Sequence, residues 1–255
     1  MEQWCRRRIG VGAKVCALLV GALAALLPRS VRAEAFEIPE SDGQPGVVVY
    51  AAAAPGPRRI TVVLHGMCGH AENICRIFAG EATAGEHLLC PRATRRCDGG
   101  GASWPQGGFE ASIEQAVARA KVALGERVDE SQGRTLIGYS LGAFRALELA
   151  QRGGGTYRRV MLVGARIVPS YQLLHESGVE RLLLSAGAWD MTHDHMRRES
   201  ARLSRAGLST RFLGLGPAGH AFSSSFAQQY LPEAWSWLAP AWGAAGRLAG
   251  SGMGV

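Results

Sequence analysis

The sequence predicts an α/β domain in which a mostly parallel sheet of about seven or eight strands carries helices on both faces. Three observations predict it. Short runs of β-branched and aliphatic residues recur between residues 47 and 213, and most are followed by stretches of helical periodicity. Glycine or proline punctuates most of the joints. Hydrophobic residues make up 47% of the chain and charged residues 19%, which is enough apolar material for a core and too little charge for disorder. A chain of 255 residues suits one domain.

The elements follow in order. Residues 47–53 and 60–64 read as strands, the second ending at His65-Gly66. Residues 71–82 read as a helix, and 87–90 as a strand closed by Pro91. Residues 97–108 form a glycine-rich loop. Residues 109–124 are helical, with Phe109, Ile113, Ala116, Val117, Ala120 and Leu124 on one face. Residues 134–138 form a strand, 140–151 a helix, and the glycines at 153–155 stop it. Strands follow at 160–163, 181–185 and 210–213. Between the last two lies a helix at 192–205, for which Thr192 can serve as N-cap. A helix at 222–238 closes the domain, and the Gly- and Ala-rich tail 239–255 lacks a clear period and is expected to be flexible.

Residues 1–33 read as a cleaved signal peptide. Arg6, Arg7 and Arg8 supply the positive start, an apolar run follows, and Val31-Arg32-Ala33 ends it as a small-residue cleavage site. Between Lys14 and Pro28 only 13 residues are available, short of the roughly 20 that a membrane span needs. The protein is therefore expected to be exported, to a periplasm or beyond the cell, and free of the membrane once the signal is removed. Most of the +7 net charge sits in this segment, which has six basic side chains and one acid. The remaining 22 basic and 20 acidic residues form no basic stripe with interleaved aromatics, which argues against nucleic-acid binding. The body, residues 34–238, is expected to be the catalytic domain.

Four cysteines remain after the signal: Cys68, Cys75, Cys90 and Cys97. An even number in an exported chain reads as two disulfides with three possible pairings. The equal spacing of Cys68/Cys75 and Cys90/Cys97 makes two local loops the simplest choice, and crosswise bridges would instead tie the two segments together. The spacing is too wide for a zinc knuckle.

Gly138-Tyr139-Ser140-Leu141-Gly142 matches G-x-S-x-G between a predicted strand and a predicted helix, the setting of a nucleophile elbow. A serine alcohol needs a neighbouring base. His220, in a loop after the last strand, is the candidate, and Asp190, in a loop after the strand at 181–185, is the candidate acid that orients it. The rivals are His193, His195 and Asp194. His193 and His195 with Asp194 could hold a metal, but residues two apart point to different sides of a helix. His65 is expected to shape its own loop, His70 and His87 have no context that favours catalysis, and His175 is expected at the surface or rim. Trp104, Trp189 and Phe222 could line a substrate pocket or simply pack.

With these motifs in the order Ser, Asp, His, residues 45–238 resemble the α/β-hydrolase superfamily, in particular exported carboxylesterases and dienelactone-hydrolase-like or depolymerase-like members. Leu64-His65-Gly66-Met67-Cys68-Gly69 resembles that family's oxyanion segment, which implies that the N–H groups of Met67 and Leu141 form the oxyanion hole. The resemblance implies a serine esterase that needs no metal or organic cofactor and acts on a small-molecule ester through an acyl-enzyme. Segments 91–108 and 164–180 are expected to cover the site. A peptidase or amidase on the same fold, or a non-catalytic binding protein, are the alternatives. The sequence does not give the oligomeric state.

Overall fold

The computed structural model describes residues 33–82, 85–221 and 223–238. All but the last residue of the expected signal peptide, the expected flexible tail and Phe222 lie outside the described residues.

The elements run β1 (Ala35–Ile38), β2 (Val47–Tyr50), β3 (Arg59–Leu64), α1 (Ala71–Ala82), β4 (Glu86–Pro91), β5 (Arg95–Arg96), β6 (Ala102–Ser103) and α2 (Phe109–Leu124). They continue β7 (Arg134–Tyr139), α3 (Leu141–Arg152), β8 (Tyr157–Val163), α4 (Tyr171–Glu176), β9 (Arg181–Ala186), α5 (His193–Arg205), β10 (Thr210–Gly214) and α6 (Ser224–Leu238). Eight strands form one sheet in the order β1-β2-β4-β3-β7-β8-β9-β10. From β4 to β10 every pairing is parallel. The β1/β2 and β2/β4 pairs are antiparallel.

The inner strands are apolar almost throughout because both faces of the sheet are covered. Successive residues alternate between two cores. Val62, Leu64, Leu136, Leu162 and Leu184 face the cluster that holds the buried stripe of α2, Ala143 and Ala146 of α3, and Met196 and Leu203 of α5. Val63, Ile137, Met161 and Leu183 face the opposite cluster, with Ile74 and Phe78 of α1 and Leu231 and Trp235 of α6. The apolar face expected of α2 is the face it buries.

Several local expectations need correction. β1 was not foreseen, because Ala35–Ile38 is a half-exposed edge strand of only four residues. α4 lies in the segment 164–180, to which the sequence reading assigns no helix, with Ser170 Oγ accepting the Leu173 N–H at 3.3 Å as its N-cap. The glycine-rich loop holds a small hairpin, β5/β6. Thr192 stands at the N-cap position of α5, but its backbone is already helical (φ −88°, ψ −10°) and its hydroxyl makes no capping bond.

The cysteines do form two bridges, but not as local loops. Cys75 pairs with Cys90 and Cys68 with Cys97, each with Cα atoms 5.7 Å apart. Cys75 lies on the buried face of α1, which packs on β4, where Cys90 sits. Cys68 precedes α1, and the backbone bridge between Gly69 and Ala102 brings it against the 97–102 loop. Sheet geometry, not sequence spacing, decides the pairing.

Candidate active site

Ser140 stands between β7 and α3 with φ +54° and ψ −117°, a conformation that L-residues rarely adopt. The flanking glycines make the turn possible. A Cβ on Gly142 would lie 2.2 Å from the Leu64 carbonyl oxygen, and one on Gly138 would lie 2.4 Å from the Gly142 carbonyl oxygen. Neither position has room for a side chain, so the elbow packs directly on the end of β3.

His220 bridges the two other candidates. Its Nε2 is 3.0 Å from Ser140 Oγ and its Nδ1 is 2.9 Å from Asp190 Oδ2. With the carboxylate accepting at Nδ1, the neutral ring leaves Nε2 free to accept from the serine hydroxyl. Asp190 Oδ1 accepts the Thr192 N–H at 2.8 Å. Burial pushes the Asp190 carboxyl up, but the hydrogen bonds from Thr192 and His220 outweigh it and hold the group below its ordinary value. The acid and base loops are stitched together: Ala188 N–H donates to Gly216 O at 2.8 Å and Trp189 N–H to Ala218 O at 3.0 Å.

The candidate oxyanion segment runs beside Ser140. A Cβ on Gly66 would lie 3.2 Å from Ser140 Cβ. Met67 is exposed, and among the described residues no backbone hydrogen bond engages its N–H or that of Leu141, the first residue of α3. A helix N-terminus at Leu141 favours developing negative charge. His65 is buried, with Nδ1 2.8 Å from Gly66 O and Nε2 3.4 Å from the Ala93 N–H; burial holds its pKa below the ordinary imidazole value.

The rivals are placed elsewhere. His195 Nε2 bonds Ile167 O at 2.6 Å, and His193 lies 3.3 Å from Asp194. Among the described residues no group of three or more His, Cys, Asp or Glu side chains is gathered to hold a metal ion. Trp104 is buried, donating Nε1–H to His65 O at 2.8 Å. Trp189 is 74% exposed beside Asp190.

Tyr139 was passed over in the sequence. Its hydroxyl donates to His220 O, and its ring stacks on the imidazole with centroids 5.5 Å apart. Its only signal was an aromatic residue directly before Ser140.

All four loops leave the C-terminal ends of parallel strands, β3, β7, β9 and β10, where open α/β sheets generally bind ligands. Solved structures of similar fold match most of the chain. The substrate-bound fluorophosphonate-binding serine hydrolase F of Staphylococcus aureus matches with a TM-score of 0.61 at 13% identity, covering 81% of this chain and 98% of its own. The chain has the α/β-hydrolase fold. An S-formylglutathione hydrolase of the same organism, covering 80% of this chain and 98% of its own, shares that fold at a TM-score of 0.59 and 14% identity. A ferulic acid esterase does so at 0.56 and 14%, covering 80% and 97%. The hydrolase fold is thus shared with serine hydrolases and esterases. No protein-family model and no curated protein sequence matches the chain.

Proposed function

We propose that the protein is an exported serine hydrolase that cleaves carboxylic esters of small molecules. The observation that carries the reading is His220 held between Ser140 Oγ at 3.0 Å and Asp190 Oδ2 at 2.9 Å. Ser140 Oγ attacks the ester carbonyl while His220 Nε2 takes its proton. The N–H groups of Met67 and Leu141 receive the resulting oxyanion. Collapse breaks the bond to the alkoxide, which leaves with the proton from His220. Water then attacks the acyl-enzyme, again losing a proton to His220, and a second collapse frees the carboxylic acid and restores Ser140. Asp190 stays ionised and holds the imidazole in its working tautomer.

Export is supported by the sequence of residues 1–33 and by the two disulfides, which suit an oxidising compartment. Among the described residues no helix is long and apolar enough to cross a membrane.

A fluorophosphonate probe tests the reading. The folded protein is expected to label at Ser140, to lose labelling entirely as Ser140→Ala, and to label at least about 100-fold more slowly as His220→Ala. A folded wild-type protein that does not label would overturn it.

A further inference from the structure

The candidate oxyanion segment is held from outside by the loop that carries β5 and β6. Trp104 Nε1–H donates to His65 O at 2.8 Å, and Ala102 N–H donates to Gly69 O at 3.0 Å. Gly101, at φ +69°, lies so close that a Cβ there would sit 2.3 Å from the Cys68 carbonyl oxygen. Between these contacts the Cys68–Cys97 disulfide closes the two segments covalently. Cys68 follows Met67 directly and has φ +50°, a left-handed conformation that a non-glycine residue keeps only when its surroundings hold it.

The two disulfides sit in different environments. Cys75 and Cys90 are fully buried between α1 and β4, whereas Cys68 is exposed and Cys97 half-buried. Accessibility governs thiol attack, so a dithiol reaches the outer bridge first.

Resting on the esterase reading, we propose that the Cys68–Cys97 disulfide is a positioning element of the oxyanion hole: it holds the Met67 N–H toward the reacting carbonyl, and its reduction disarms the enzyme without unfolding it. The chemistry is thiol–disulfide exchange. Dithiothreitol gives two electrons and two protons to the Cys68 and Cys97 sulfurs and closes to its own cyclic disulfide as the S–S bond breaks. The donor acts on charge that develops in the transition state, so the loss falls on kcat and leaves KM little changed.

The test compares the oxidised protein, the same protein after mild dithiothreitol, and C68S/C97S, with p-nitrophenyl acetate as substrate. Differential alkylation followed by mass spectrometry reports which sulfurs are reduced. Reduction confined to Cys68 and Cys97 is expected to lower kcat by about 10- to 100-fold, within the range for impairing one oxyanion donor. KM is expected to stay within about twofold, reoxidation to restore kcat, and C68S/C97S to match the reduced enzyme and ignore dithiothreitol. Unchanged kcat in the reduced protein, or a loss that only tracks the fraction unfolded by circular dichroism, would overturn the proposal. Should C68S/C97S not fold, the reversible reduction decides alone; should dithiothreitol reduce all four cysteines, C68S/C97S decides. Oxidised protein that does not label with fluorophosphonate at Ser140 would take down the esterase reading itself, a failure distinct from a labelled enzyme that is indifferent to reduction.

Discussion

Tyr139 holds His220, the proposed general base, at two points, through its hydroxyl on the His220 carbonyl and its ring against the imidazole. Removing the hydroxyl while keeping the ring isolates the first. A hydrogen bond of this kind is worth about 1 kcal/mol net, so Tyr139→Phe is expected to slow fluorophosphonate labelling about fivefold with little change in melting temperature. Labelling at the wild-type rate would show that stacking and the loop's own backbone bonds suffice. At this scale much of the candidate site was legible before any coordinates. Ser140, Asp190 and His220 were marked by where they stand relative to strands, and the structure brings those three together. Tyr139 was not legible, because its partner is a backbone carbonyl 81 residues away, and backbone groups leave no trace in a sequence.

At the scale of elements, the strands hide a buried polar cluster that periodicity alone does not reveal. Arg59 on β3 pairs with Glu86 on β4 at 2.7 Å, and Thr61 and Thr135 both donate hydroxyl hydrogen bonds to the same carboxylate. Arg159 on β8 joins through Thr135 at 3.3 Å, its pKa pushed down to about 10 by burial and then by the charge of Arg59. Glu86→Ala would leave the buried guanidinium of Arg59 without its carboxylate. Breaking a buried pair from one side typically costs about 3–5 kcal/mol. The urea midpoint should fall accordingly, and a drop under about 1 kcal/mol would mean that water or Thr61 replaces the carboxylate. The sequence reading began β3 one residue later and β4 one residue later, because Arg59 and Glu86 look like surface residues until each meets the other. α1 and α2 were legible end to end: their apolar stripes obey the helix period over 12 and 16 residues, long enough to outweigh local noise. The cysteine pairing was not, since it depends on which strand α1 lies across.

The whole molecule carries a pH dependence that belongs to no single element. His65 and His87 are both buried, and burial is the main cause that holds each imidazole below its ordinary value. His87 sits between the Ala52 N–H at 3.0 Å and the Arg127 carbonyl at 2.8 Å, a setting suited to the neutral ring. As pH falls below about 6.5, the unfolded chain takes up protons that the folded chain refuses, so stability is lost from there downward. Asp190 is held low instead, and its contribution is present above the ordinary carboxylate value and lost only in stronger acid. Melting temperature should therefore drop as the pH falls from 7 to 5. A His65→Asn/His87→Asn protein should melt lower overall but with a flatter profile across that window, and a flat wild-type profile would refute the assignment.

The sheet also ends in a way that bears on how the protein behaves when concentrated. Its two outermost strands are short, and each carries one charge near its middle: Glu37 on β1, paired with Arg92 at 2.9 Å, and Arg211 on β10, paired with Glu233 on α6. A foreign strand laid along either margin would have to strip water from that ion or displace its partner, for only four or five residues of new backbone pairing. Although six of the eight strands of the described sheet are joined by parallel pairings, its two margins are short and charged, which disfavours the addition of a foreign strand.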